Sequence, residues 1–172
     1  MVIADKIALL SMVGTCISAT ASLITLFFAR TALKTWKEQE ILKSKKDFKM
    51  ALLELKFVTL WQPSKINPEH LRVGRNILYS PNVLDQSQHV TAEINAFKGL
   101  AIEFEKFEDA MQICARHWFA TEKVFKGSSV EKLWMNILHA YNEYTQGKID
   151  QDVFMGKLDE LINVDLYFNS PS

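Results

Sequence analysis

Between Ile7 and Ala29 the chain reads IALLSMVGTCISATASLITLFFA, 23 residues without a charge, bracketed by Lys6 and Arg30. About 20 apolar residues rising ~1.5 Å each cross a bilayer core, so this run predicts a single transmembrane helix. Its polar positions follow a pattern of their own. At about 100° per residue, Ser11, Thr15, Ser18, Ser22 and Thr25 fall on one narrow face that Ala29 continues. Gly14 lies on the edge of that face, in a small-xxx-small run with Ser18 and Ser22. Spacings that alternate four and three are the repeat of associating helices. Leu9, Leu10, Val13, Ile17, Leu23, Ile24, Phe27 and Phe28 form the opposite, bulky face, suited to lipid. Small residues let backbones approach closely, and hydroxyls there bond across helices for ~0.6–2 kcal/mol each. The competing use of those hydroxyls is a bond back to carbonyls of their own helix. The expectation is an anchor that self-associates through Ser11, Gly14, Thr15, Ser18, Ser22 and Thr25, as a dry packed seam or as a hydroxyl-lined pore.

From Arg30 to Trp61 there is neither Gly nor Pro, so the anchor is expected to continue unbroken as a helix. Arg30, Lys34, Trp36 and Lys37 sit where headgroups would be, the tryptophan at the interface and the cations against anionic lipid. Lys43, Lys45, Lys46 and Lys49 extend that basic segment. Phe48, Leu52, Leu55 and Val58 or Thr59 then restore an apolar stripe that docks on a domain.

Pro63 ends this helix, and Asn67-Pro68-Glu69 reads as N-cap, first-turn proline and first-turn acid, with Ile66 and Leu71 spaced as a hydrophobic staple. That helix runs to about Tyr79, before a break at Ser80-Pro81-Asn82. A long helix follows from near Ser87–Thr91. Val90, Ile94, Phe97, Ala101, Phe104, Met111, Ala115 and Trp118 set its inward rhythm, with Phe107 and Ile113 widening it. Gly99 inside it is expected at a close helix contact. Gly127 closes the helix, and Ser128 with Glu131 spells a capping box for the next. Leu133, Trp134, Ile137, Leu138, Tyr141 and Tyr144 make that helix's apolar face, and Gly147 caps it. Asp150 starts a last short helix with Val153, Phe154, Leu158, Leu161 and Ile162 inward. No stretch alternates with period two, so no sheet is expected. The fold class is all-α: a short tail at 1–6, a transmembrane helix at 7–29, a basic juxtamembrane helix at 30–61, a cytoplasmic helical bundle at 62–165 and a loose tail at 166–172.

Charge adds orientation to this picture. The 20 basic and 20 acidic residues cancel, but the segment after the anchor is basic and the remainder acidic. The positive-inside rule then places the N-terminus outside and the C-terminal domain in the cytoplasm. An acidic bundle also argues against direct nucleic-acid binding. Cys16 lies in the anchor and Cys114 in an apolar helical pattern, which implies no disulfide framework. A cleaved leader is the rival reading, since Ala19-Thr20-Ala21 has the small-x-small form and Val13-Gly14-Thr15-Cys16 faintly suggests a lipoprotein site. The apolar run nevertheless continues through Phe28 and stops at basic residues, which is stop-transfer behaviour.

Catalytic patterns are not found. His70, His89, His117 and His139 stand singly, without a His-Glu-x-x-His or Glu-x-x-His arrangement for metal. Glu103, Glu105, Glu108 and Asp109 read as a solvated acidic face. Cys114 with His117 one turn away reads as a buried thiol rather than a nucleophile and base. No glycine loop cradles phosphate. The expectation is a non-enzymatic protein with no metal and no cofactor.

The order of anchor, basic helix ARTALKTWKEQEILKSKKDFK and compact helical remainder is similar to small bacterial membrane effectors encoded beside phage-defence systems. These include transmembrane proteins accompanying some retrons and the membrane accessory of certain RNA-targeting CRISPR loci. The layout also resembles a larger bacterial family with a Trp-x-Pro break, here Trp61-Gln62-Pro63. The CRISPR accessory group carries a spaced Arg/His pattern, whereas Arg116 and His117 are adjacent here. The resemblance implies a homo-oligomeric inner-membrane effector in antiviral defence, with a cytosolic protein or ribonucleoprotein partner. In the retron case that partner is a reverse transcriptase with its RNA–DNA product. The alternative is a membrane-tethered adaptor that recruits a cytosolic protein.

Overall fold

The computed structural model describes residues 3–80 and 92–166. They form five helices: α1 (Ile3–Thr59), α2 (Pro68–Tyr79), α3 (Ala92–Phe125), α4 (Ser129–Thr145) and α5 (Gln151–Ile162). No strand occurs among the described residues. The chain is all-α, as its periodicity requires.

Two compact units divide the chain, Met1–Leu42 and Lys43–Ser172, so the division falls inside the basic segment expected at 30–61. The described residues of the first unit are the N-terminal part of helix α1, which begins at Ile3, within the expected tail. From Leu9 to Glu40 every residue is exposed. Among the described residues α1 is the one helix long and apolar enough to cross a membrane, and none of its apolar window is buried. That exposure distinguishes it from the core helix of a soluble domain, where apolar length is covered by neighbouring elements.

The second unit holds the core. The last turns of α1 bury Phe48, Ala51, Leu52 and Leu55, which pack in one apolar cluster with residues of α2 to α5. Two groups of rings fill it. Phe48, Trp118, Phe125 and Trp134 meet at centroid separations of 5.5–6.4 Å. Phe107 contacts Phe104, Tyr141, Tyr144 and Phe154 at 5.4–5.8 Å. Aromatic pairs at such spacings add ~0.5–1.5 kcal/mol beyond the area they bury.

The helix ends follow local rules. The Asn67 side chain accepts from the Glu69 and His70 amides, at 3.0 and 3.4 Å, which caps α2. Ile66 and Leu71 beside it are both buried. Gly147, at φ +68°, closes α4 in a Schellman arrangement. Its amide donates to the Tyr144 carbonyl at 2.8 Å and that of Lys148 to Glu143 at 2.9 Å.

The capping box at α4 takes a different form from the one its sequence spells. The Ser128 hydroxyl donates to the Phe125 carbonyl at 2.6 Å, and Glu131 accepts from the Gly127 amide instead, at 2.6 Å. The tight turn at Gly127, φ +78°, brings that amide nearer the carboxylate.

Other expectations are corrected by packing. Gly99 faces open space, and the close contact belongs to Gly74, where a Cβ would overlap the Phe97 carbonyl of α3. Ile113 and Val153, expected inward, are exposed, while Cys114 and Phe154 beside them are buried as expected. Leu166, placed in the loose tail by the sequence, is buried. The expected break beyond Ser80 and the expected start of α3 at 87–91, with Val90, lie outside the described residues.

Candidate functional site: the anchor face and a polar cleft

Ser11, Gly14, Thr15, Ser18, Ser22 and Thr25 are all exposed on α1. Thr15 donates to the Ser11 carbonyl at 2.9 Å, Ser22 to Ser18 at 2.9 Å and Thr25 to Ala21 at 2.9 Å. Thr20, off that face, does the same to Cys16 at 2.8 Å. These bonds are the intrahelical use of the hydroxyls. The hydroxyl protons of Thr15, Thr20, Ser22 and Thr25 are thereby satisfied without water, while the oxygens keep acceptor capacity toward a neighbour. Nothing lies within 4 Å of a Cβ built at Gly14, and Ala21, Ser22, Thr25, Leu26 and Ala29 line a shallow depression along the helix. The face is therefore low enough for another helix to approach closely.

Arg30, Lys34, Trp36 and Lys37 are exposed in the same unit, and Lys34 lies 3.9 Å from Glu38 one turn on. Lys45, counted with them by sequence, behaves differently. It is 3% exposed, with its ammonium 5.4 Å from the centre of the Phe125 ring. Desolvation holds its pKa below the usual lysine range, against the opposing pull of Asp165. Lys45 is a bundle residue, withdrawn from any headgroup.

On the bundle, α2 and α3 enclose an open polar cleft of about 420 Å³ lined by Arg75, Tyr79, Glu105, Glu108, Asp109 and Gln112. Arg75 pairs with Glu108 at 2.5 Å and lies over the Phe104 ring, 5.4 Å from its centre. Tyr79 donates to Glu105, a bond that raises the phenol's pKa, with desolvation adding to it. Glu103 takes Lys106 at 2.7 Å. The acidic face read from sequence is thus largely engaged, three of its four carboxylates holding partners from α2 or α3. Among the described residues no group of three His, Cys, Asp or Glu side chains is placed to hold a metal ion. Cys114 is fully buried, and burial pushes its thiol up to about 12, the opposite of what an activated nucleophile needs.

Two features escaped the sequence reading. The Arg75–Glu108 pair joins residues 33 apart, beyond the reach of helix periodicity. Met50, Leu53 and Phe57 on α1, and Leu60 and Trp61 just after it, are exposed although the same helix buries Phe48, Leu52 and Leu55. The signal for the second feature was present: this stretch has more apolar positions than one face can hold.

No family model, curated protein or solved structure matches this chain.

Proposed function

We propose that this chain is a single-pass protein of a bacterial inner membrane that self-associates through its anchor and perturbs the membrane, acting as a phage-defence effector. The observation that carries the reading is the fully exposed apolar length of α1 with its small residues gathered on one face. Such a helix inserts with the Thr15, Ser22 and Thr25 hydroxyl protons already satisfied and can then pack against its own kind through Gly14, Ser18 and Ser22. Arg30, Lys34 and Lys37 orient it with the bundle in the cytoplasm. α1 continues as one helix to Thr59, which gives the bundle a covalent hold on the anchor.

The test is membrane potential in bacteria after induced expression, wild type beside Gly14→Leu and Ser18→Leu. Leucine at either position adds bulk to the associating face and remains compatible with insertion, which membrane fractionation verifies. Depolarisation with wild type and its loss in both variants is the expected result. Depolarisation at the wild-type level in both inserted variants refutes the reading.

The cleft around Arg75 and Glu108 favours a second reading, a tethered adaptor that presents α2 and α3 to a cytosolic partner. Under it the anchor is only a tether, and an unrelated transmembrane helix in its place preserves activity. Loss of activity in that chimera excludes the adaptor.

A further inference from the structure

The last turns of α1 carry two apolar faces, and only one belongs to the core. Phe48, Leu52 and Leu55 are fully buried. Met50, Leu53, Phe57 and Leu60 are 56%, 40%, 57% and 59% exposed. Leu60 follows the helix by one residue, yet its amide still reaches the Lys56 carbonyl at 3.3 Å and holds it in the helical turn.

The exposed four are spaced three, four and three apart, the a/d repeat of a two-helix seam. With Met50 and Phe57 at a, and Leu53 and Leu60 at d, the core residues fall at b, c and f. One helix can therefore serve the core and a partner at once. A straight helix drifts ~20° per heptad, so over two heptads the four side chains stay within one stripe.

The flanking charges say which partner. Asp47 and Glu54 occupy e, and Lys49 and Lys56 occupy g, Lys56 being paired to Asp159 of α5 at 2.5 Å, which leaves Lys49 as the g charge for a partner. In a parallel pair each g position meets the partner's following e position, so Lys49 meets Glu54 of a second copy, twice by symmetry. In an antiparallel pair g faces g and e faces e, which sets lysine against lysine and carboxylate against carboxylate. The pattern is self-complementary in one arrangement only. It is also the arrangement open to two copies inserted the same way in one membrane.

We infer that Met50, Leu53, Phe57 and Leu60 form a docking seam for a second copy of this chain, parallel and in register. Counting by sevens along the sequence from Met50 and Leu53 reaches Trp36, then Ala32, Ala29, Thr25, Ser22, Ser18, Thr15 and Ser11, with Gln39, Lys43 and Lys46 as a polar interval. The inference itself uses only residues of the Lys43–Ser172 unit, so it goes beyond the anchor association proposed above and can fail separately from it.

The test is oxidative crosslinking of the full-length chain in bacterial membranes, in a Cys16→Ala background. Leu53→Cys alters an exposed position and leaves the core intact, and a parallel in-register seam brings each such thiol to its own copy. Lys132→Cys, exposed on α4, is the control. The expected result is a dimer yield several times that of the control. Lys49→Glu and Glu54→Lys each lower the yield severalfold, and the two together restore it. A yield at position 53 no greater than the control overturns the inference and leaves the face to lipid or to an unrelated partner. Charge reversals that have no effect, or that the double variant fails to rescue, overturn it as well. Depolarisation is read separately with Gly14→Leu, so loss of one association does not imply loss of the other.

Discussion

Replacing Phe107 tests where the bundle's stability lies. Its side chain is fully buried at the meeting point of α3, α4 and α5, with four rings at 5.4–5.8 Å. Truncation of such a residue to alanine costs ~3–5 kcal/mol, a sum of lost transfer energy and the void left among rigid rings. A domain of this size has ~5–15 kcal/mol in all, so the variant loses about a fifth of it or more. Phe107→Leu keeps much of the volume and loses the ring geometry, with an expected cost of about 1–1.5 kcal/mol. Phe119→Ala is the internal control, because Phe119 on α3 is 72% exposed and a surface change of this kind stays within ~0.5 kcal/mol.

The assay is urea unfolding of the full chain in detergent micelles, followed by tryptophan emission. Trp118 and Trp134 are buried and stack at 5.6 Å, so their emission shifts to the red when the bundle opens. Trp36 and Trp61 are already exposed and add a nearly constant background. With a urea slope near 2 kcal/mol per molar, Phe107→Ala lowers the midpoint by roughly 1.5–2.5 M. A loss at Phe107 no greater than that at Phe119 refutes this account of the core.

Three further predictions use the same chain. Gly74→Ala drives a methyl into the Phe97 carbonyl of α3, backbone against backbone, and lowers the midpoint by the equivalent of ~1–3 kcal/mol. Gly99→Ala meets open space inside a helix and raises it by up to ~1 kcal/mol; equal effects at the two glycines contradict the packing described. Gln151→Leu removes the amide that donates to the Thr59 and Gln62 carbonyls, the latter at 2.9 Å, and costs ~1–3 kcal/mol by the same measurement. Cys114, with its thiol near 12, is thiolate in about one part in ten thousand at pH 8, so a maleimide leaves it unmodified until urea opens the bundle. Rapid labelling of Cys114 in the folded Cys16→Ala chain would show that its burial is wrong.

What the sequence made legible were signals carried by neighbouring residues. The Asn67-Pro68-Glu69 start and the Gly147 stop each act within one or two helical turns, and each acts in the structure as its chemistry dictates; the charge-free run from Ile7 lies in a helix long and apolar enough to cross a membrane. What it left hidden was the choice among faces. The sequence places Cys114 and Phe154 inward and they are buried, but it places Ile113 and Val153, about 100° away beside them, inward too, and only the opposing helix decides that these are left uncovered. Lys45 was misplaced for the same reason: its stem and ammonium cover Phe125, a residue 80 positions away. The cleft on α2 and α3 depends likewise on Arg75 and Glu108 meeting across the fold.

Residues 48–60 show the limit most clearly. A helix that must bury one stripe needs only the b, c and f positions used by Phe48, Leu52 and Leu55, and polar residues at the remaining sites would favour solubility. Apolar side chains stand at Met50, Leu53, Phe57 and Leu60 instead, and water covers them in the single chain. The four side chains are 40–59% exposed, so leaving them uncovered forgoes about half of the ~1.5–3 kcal/mol that full burial of each contributes. A second surface takes up that energy when it covers them, and the Lys49–Glu54 spacing fits a surface of the same sequence. Assembly through this seam is therefore driven by apolar area and directed by charge, so high salt should weaken its parallel preference more than its affinity.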